Sequence, residues 1–329
     1  MEPMGPLAPR VGEIGESGLV DLIKQRFGDG PDGEVWAGDD AALVATGPRS
    51  LLTIDVLVED VDFDFSYCTG FDVGWKSLAV NVSDIAAMGG RSQRAVVALS
   101  LSPATLVSVV EAFLDGLEAG AGRWNIGIVG GDISGAEEMS VSVTLLGTID
   151  GEPVLRSGAR PGDAICVTGS LGGAAGGLFA LQRGLAGNNA DIDRLAARQL
   201  RPEPRVREAE ILRAATAMID VSDGLALDLT RLMMASGTGC NVSRELVPVD
   251  PALAALEDGS DPVELALRGG EDLELLCTID PADVDRSVEA LGPPLAGLTR
   301  IGVVTDDGCL LDGEPLEGEE LGWDHLRSR

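Results

Sequence analysis

Aspartates beside glycines, or at the ends of apolar runs, are the residues whose type and spacing could do chemistry in this sequence. They are Gly38-Asp39-Asp40, Asp55 in TIDVLV, Asp84 in NVSDIAAMGG, Gly130-Gly131-Asp132, Asp220 and Asp223 in IDVSDG, and the GGED run at 269–272. Carboxylates delivered to strand ends line the crevices where α/β proteins bind ligands, and neighbouring glycines let backbone N–H groups approach an anion. Crowded there without counter-charge, two carboxylates 4 Å apart repel by roughly 4 kcal/mol at an effective dielectric near 20. A hard cation removes that cost. Magnesium suits the donor set because it prefers carboxylate oxygen, keeps several waters and bridges phosphates, which makes ATP the natural anionic partner. Each motif alone is also what an Asp-Gly turn or an N-cap looks like; the weight rests on the set.

Other chemistries find little support. Neither Lys24 nor Lys76, the only lysines, follows a glycine, so there is no P-loop. A literal G-x-G-x-x-G at Gly28, Gly30 and Gly33 follows an expected helix and precedes an expected strand, the reverse of the dinucleotide-binding context. The single histidine, His325, leaves triads and multi-histidine metal sites without material. An EF-hand reading of 306–317 fails because Gly308 and Leu310 stand where oxygen ligands are needed. Five scattered cysteines, never in C-x-x-C, point to neither zinc nor a disulfide framework and read as small apolar residues of a reducing compartment. A net charge of -30 repels nucleic acid. Long charge-free apolar runs are absent, and the opening residues lack a basic region followed by an apolar one. A cytoplasmic protein with no membrane partner is therefore expected.

The elements that must carry these aspartates alternate between helix and strand. Leu19, Val20, Ile23 and Phe27 recur at helical spacing, and a strand-like EVWAGDDAALV follows. LLTIDVLV reads as a strand, FDVGWKSLAVNVSDIAAMGG as a helix ending in glycines, RAVVALSL as a strand and TLVSVVEAFLDGLEAG as a helix. IGIVGGD reads as a short strand entering a turn, and MSVSVTLLGTID alternates as a strand. The turn-rich GEPVLRSGARPGD connects to a second series: AICVTG and MIDVS as strands, DGLALDLTRLMMASG as a helix, LELLCTI as a strand, PADVDRSVEALG as a helix and LTRIGVV as a strand. With 329 residues, two domains are expected, 1–150 and 151–329. The class is α/β (α+β): an N-terminal mixed sheet with flanking helices and a C-terminal α/β sandwich.

The segments GDDAALV, TIDVLVEDVDF, WKSLAVNVSDIAAMGG, IVGGDIS, RSGARPGD, IDVSDGLALDL and LRGGEDLELL occur in the order found in thiamine-monophosphate kinases, and nearly the whole chain resembles that family. It belongs to a superfamily with aminoimidazole ribonucleotide synthetase and selenophosphate synthetase, whose members pair two N-terminal domains in a homodimer and bind ATP without a P-loop. The resemblance implies several magnesium ions held by Asp40, Thr53, the backbone of Ile54, Asp55, Asp84, Asp132, Asp220 and Asp223. It implies nucleotide contacts from Gly131, Asp132 and Ser222, with Arg156 acting electrostatically on phosphate through its planar fork of donors. Glu271 and Trp323 match positions that contact thiamine phosphate, and Asp62 reads as a substrate neighbour or as a surface residue. An aromatic face accommodates a pyrimidine, and a carboxylate can bond its amino group or offset the thiazolium charge.

Two departures stand out: Asp62 occupies a position where the family commonly has histidine, and Ile133-Ser134 follow GGD in place of paired threonines. The implied reaction is ATP-dependent phosphorylation of thiamine monophosphate by direct in-line transfer. It needs no general base, because the acceptor phosphate is already ionised with a second pKa near 6. Two alternatives remain at this point, another ATP-dependent member of the superfamily such as an aminoimidazole ribonucleotide synthetase-like enzyme, and a non-enzymatic protein that binds magnesium or nucleotide.

Overall fold

A computed structural model describes residues 9–27, 31, 34, 44–47, 49–187, 189–257, 261–293, 295–316 and 322–323. Asp39, Asp40, Gly28, Gly30, Gly33, His325 and positions 35–43 of the strand expected at 34–44 lie outside the described residues. The chain divides into two compact units, Met1–Val82 with Ser92–Thr148, and Ser83–Arg91 with Ile149–Arg329.

The first unit contains α1 (Val11–Phe27), β1 (Ser50–Val58), most of α2 (Gly70–Ala87), β2 (Arg91–Leu101), α3 (Val107–Trp124), β3 (Gly127–Gly135) and β4 (Ser140–Thr148). Its sheet runs β1-β4-β2-β3, with β1 and β4 antiparallel and β2 and β3 parallel. The period of two is legible on β4, where Val141, Val143 and Leu145 are buried and Ser142 and Thr144 are not. Val110, Phe113, Leu114, Leu117 and Ala121 form the buried stripe of α3. Two glycines let the backbones of α2 and α3 touch: a Cβ on Gly74 would lie 2.1 Å from the Phe113 carbonyl oxygen, and one on Gly116 would lie 2.0 Å from that of Phe71. The expected turn at GGD is instead continued strand, because the parallel pairing with β2 runs on from Ala98↔Asp132 to Leu101↔Gly135.

The second unit contains β5 (Ala164–Thr168), α4 (Gly173–Gln182), α5 (Ala190–Leu200), α6 (Val206–Ile211), β6 (Ala217–Val221), α7 (Leu225–Ser236), β7 (Gly239–Val242), α8 (Pro262–Arg268), β8 (Glu274–Ile279), α9 (Val284–Ala290), β9 (Leu298–Thr305), β10 (Cys309–Leu311) and β11 (Glu314–Pro315). Seven strands order as β11-β10-β7-β9-β5-β8-β6, antiparallel except for β7 with β10. Strands buried on both faces separate two apolar clusters. Ile165, Val167, Ile219 and Leu276 face one shared with Leu225, Leu229 and Leu232 of α7. Cys166, Met218 and Cys277 face another shared with Ala209 of α6 and with Ala86 and Ala87 at the end of α2. The helix expected at 281–292 opens with a 3-10 turn, Pro281–Asp283, capped by Asp280, before α9 begins. The segment that fails as an EF-hand is the hairpin β10–β11, whose Asp312 (φ 51°) and Gly313 (φ 84°) supply the two left-handed residues of a tight turn. Four of the five cysteines are buried, and no helix among the described residues is long and apolar enough to cross a membrane.

Candidate active site

The first unit places Thr53, Ile54 and Asp55 on β1. Opposite β4, Thr53 pairs with Leu145 and Asp55 with Val143, so both side chains share the face of the buried Val143 and Leu145. The alternate residues Leu52, Ile54 and Val56 are exposed. Asp62 follows β1, and its Oδ2 accepts the Val58 N–H at 2.8 Å, which closes the turn. Gly131 and Asp132 lie on β3, exposed, opposite Val97 and Ala98 of β2. A side chain at Gly131 is excluded, since a Cβ would sit 2.0 Å from the Val97 carbonyl oxygen.

In the second unit the apolar β6 carries Asp220 into the interior, where it is 3% exposed. Ser83, at the start of the α2 segment assigned to this unit, donates its Oγ–H to Asp220 Oδ2 at 2.7 Å. Burial, and then the charge of half-buried Asp84, push the Asp220 carboxyl up to about 8, while exposed Arg156, from the connector, opposes the shift. Two hard oxygen donors thus stand close together. That fits a divalent cation that takes one or two carboxylates and completes its shell with water and phosphate. Asp223 is differently placed, because Arg231 Nη1 bridges its Oδ2 at 2.5 Å and Asp228 Oδ1 at 2.8 Å. Among the described residues no three Asp, Glu, Cys or His side chains stand close enough to hold a metal by themselves.

Beyond β6 the chain turns sharply at Ser222-Asp223-Gly224, with Gly224 at φ 113°, a conformation other residues rarely adopt. Asp228 of α7 folds back over this turn and accepts the N–H groups of Ser222 and Asp223 at 3.0 and 2.9 Å. Its burial pushes its carboxyl up to about 6. Sequence reasoning missed Asp228 and Arg231. The available signal was an acid inside the apolar stripe Leu225, Asp228, Leu229, Leu232.

Two other segments are bonded to the same turn. Glu271 N–H donates to Ser222 O at 2.7 Å and Leu273 N–H to Val221 O at 3.0 Å, while Trp323 N–H donates to Asp223 O at 3.0 Å. Glu271 and Leu273 have φ values of 67° and 49°, an uncommon left-handed pair that turns Glu271 one way and buried Asp272 the other. Asp272 accepts the N–H groups of Gly172 and Ala174 at 2.6 and 3.1 Å, at the N-terminus of α4. Glu274, fully buried, accepts from Arg205 Nε and Nη2 at 2.6 and 2.5 Å and from Thr168 Oγ1 at 2.7 Å. The second unit therefore joins Ser222, Asp223, Glu271 and Trp323 by backbone bonds and sets Ser83, Asp84 and Asp220 around the strand that feeds them.

The chain matches the family described as AIR synthase related protein over both of its parts, the N-terminal domain at residues 38–149 and the C-terminal domain at 160–310. The thiamine-monophosphate kinase of Mycobacterium tuberculosis (strain H37Rv) is 36% identical over 325 residues, covering 96% of this chain and 93% of that protein. The crystal structure of thiamine-monophosphate kinase from Stenotrophomonas maltophilia K279a superposes with a TM-score of 0.81 at 39% identity, over 90% of this chain and 96% of that one. A structure of AaThiL complexed with AMPPCP and TMP gives a TM-score of 0.77 at 34% identity, over 98% and 100% of the two chains.

Proposed function

The chain belongs to the thiamine-monophosphate kinase family of AIR synthase related proteins, and from that membership we propose that it transfers the terminal phosphoryl group of ATP to the phosphate of thiamine monophosphate, giving thiamine diphosphate. The observation that carries the reading is the backbone lacing of the Ser222–Asp223 turn to Glu271 and Trp323, beside buried Asp220. A structure of a relative at 34% identity described with an ATP analogue and TMP supports the same pair of substrates.

Each side chain has a part in this reading. Arg156, exposed on a connector without regular structure, presents its guanidinium to phosphate. Glu271 offers a carboxylate to the aminopyrimidine or to the thiazolium charge, and Trp323 an aromatic face. Magnesium bound at Asp84 and Asp220 would neutralise phosphate charge during an in-line transfer. Asp40, Thr53, Ile54, Asp55, Asp132 and Asp223 are proposed to serve the same metal–nucleotide chemistry, each tested by its own variant. Gly131 and Ser222 are proposed nucleotide contacts and Asp62 a substrate neighbour. No histidine occurs among the described residues, and none is required, because the acceptor phosphate is ionised at neutral pH. ATP as co-substrate agrees with a cytoplasmic location.

The decisive experiment is incubation with ATP, magnesium and thiamine monophosphate, with thiamine diphosphate measured by chromatography of its fluorescent thiochrome derivative. Binding of ATP without this product would refute the kinase reading and favour a nucleotide-binding protein. A homodimer is also proposed. Leu52, Ile54 and Val56 are 72%, 62% and 52% exposed along one face of β1, an edge strand, and such a row invites a second copy. Leu52→Glu should convert the protein to monomers in analytical ultracentrifugation; an unchanged sedimentation coefficient would remove the interface from this face.

A further inference from the structure

Glu271 is held by a residue that the function proposed above leaves unused. Gln199 lies on the buried side of α5 with Ile192, Leu195 and Ala196, and is 4% exposed. Its Nε2 donates to Glu271 Oε2 at 2.5 Å. A buried amide N–H that donates to a carboxylate oxygen makes a bond stronger than one between neutral groups.

The rest of Glu271 is already fixed. Its backbone is tied to Ser222 O at 2.7 Å, and the following residue is anchored to the N-terminus of α4. The side chain has three torsions, and the bond from Gln199 restricts their freedom. Gln199 is in turn set by the contact of α5 with α4. A Cβ on Gly177 would lie 2.0 Å from the Leu195 carbonyl oxygen and 3.0 Å from Gln199 Cβ, so the two helix backbones meet one turn from the amide. Rigid backbone therefore leads by way of Gln199 to the carboxylate.

We propose that Gln199 is a positioning residue that orients the Glu271 carboxylate toward a cationic heteroaromatic substrate and so contributes to substrate selection. The proposal rests on the thiamine monophosphate reading of the site. An apolar residue here would remove this bond to the carboxylate, and an acid would set a second carboxylate against it.

The test is steady-state kinetics of Gln199→Met, similar in volume but without a donor, and of Gln199→Glu, similar in length but presenting an acceptor. In both, KM for thiamine monophosphate should rise about tenfold or more, while KM for ATP and kcat stay within about twofold. An unchanged KM for thiamine monophosphate in Gln199→Met overturns the proposal. So does a joint change in kcat and both KM values with a lower melting temperature, which would mark a packing role. Absence of thiamine diphosphate formation by the wild type would instead overturn the underlying reading, and is seen before any variant is compared.

Discussion

Replacing Asp220 by asparagine changes its charge and little else, since the amide oxygen can still accept from Ser83 Oγ. The wild-type carboxylate is buried, receives that one hydroxyl bond at 2.7 Å and has the charge of Asp84 nearby, so its carboxyl is pushed from 3.8 up to about 8. Between those two values the folded metal-free protein holds a proton that the unfolded chain has lost. Stability therefore falls by about 1.4 kcal/mol per pH unit as pH rises through that window. At pH 7 the upper limit is ~4 kcal/mol, and relaxation with water penetration brings the expected cost to ~2 kcal/mol. Asp220→Asn should recover that amount, roughly 4–8 °C in melting temperature for a unit of this size. Melting curves of both proteins in EDTA at several pH values between 5 and 8 should show the variant melting higher, with a gap that widens with pH. Its kinase turnover should meanwhile fall at least about a hundredfold, in line with loss of a group that stabilises transferring charge. Magnesium with ATP should raise the wild-type transition more than the variant's. A variant that melts lower than wild type at pH 7 without metal, or a gap that is flat in pH, would show that the Asp220 carboxylate is a structural acceptor, and the ligand argument would fall.

Three further outcomes follow from groups elsewhere in the chain. Glu274→Gln leaves Arg205 facing a neutral partner and should lower stability by about 3 kcal/mol, read by differential scanning calorimetry; a change under about 1 kcal/mol would refute the importance of that pair. Burial pushes the Asp272 carboxyl up to about 6 from 3.8, so its contribution to stability declines as pH climbs from the lower value to the higher. Asp272→Asn should flatten the wild-type decline in that interval, and an unaltered slope would contradict the assignment. Gly131→Ala brings a methyl to within 2.0 Å of backbone oxygen and should give a protein that melts at least several degrees lower and is inactive; normal melting would show that β2 and β3 can separate cheaply.

Period two and period 3.6 made most of the fold legible. β1, β2, β4, β6, β8 and β9 lie where apolar alternation or apolar runs put them, and α2, α3 and α7 where the stripes fall. α2 ends where its glycines stand: Gly89 at φ 73° donates to Ala86 O, and Gly90 donates to Ile85 O. Residues 173–211 gave little, for a physical reason. α4 reads GAAGGLFALQ, a glycine-rich run that resembles a loop, yet Gly177 is there because α5 presses its backbone against it. At the site, motif order named Asp220, Ser222, Asp223, Glu271 and Trp323, which the second unit does bring together. Asp228, Arg231 and Gln199 escaped notice because helix register against a distant loop, not local pattern, gives them their partners. Asp62 was legible as a change from histidine but not as the acceptor that closes the turn after β1.

On β1 two messages are written in alternate letters. Thr53 and Asp55 occupy one set of positions, and Leu52, Ile54 and Val56 the other. Point substitutions can edit either message alone. A single-residue deletion or insertion upstream on this strand exchanges them, turning carboxylate and hydroxyl outward and leucine or isoleucine toward the covered face. Either face can therefore be altered one position at a time, yet the reading frame of this strand within the sheet is locked, and length changes should be tolerated only in the segments on either side of it.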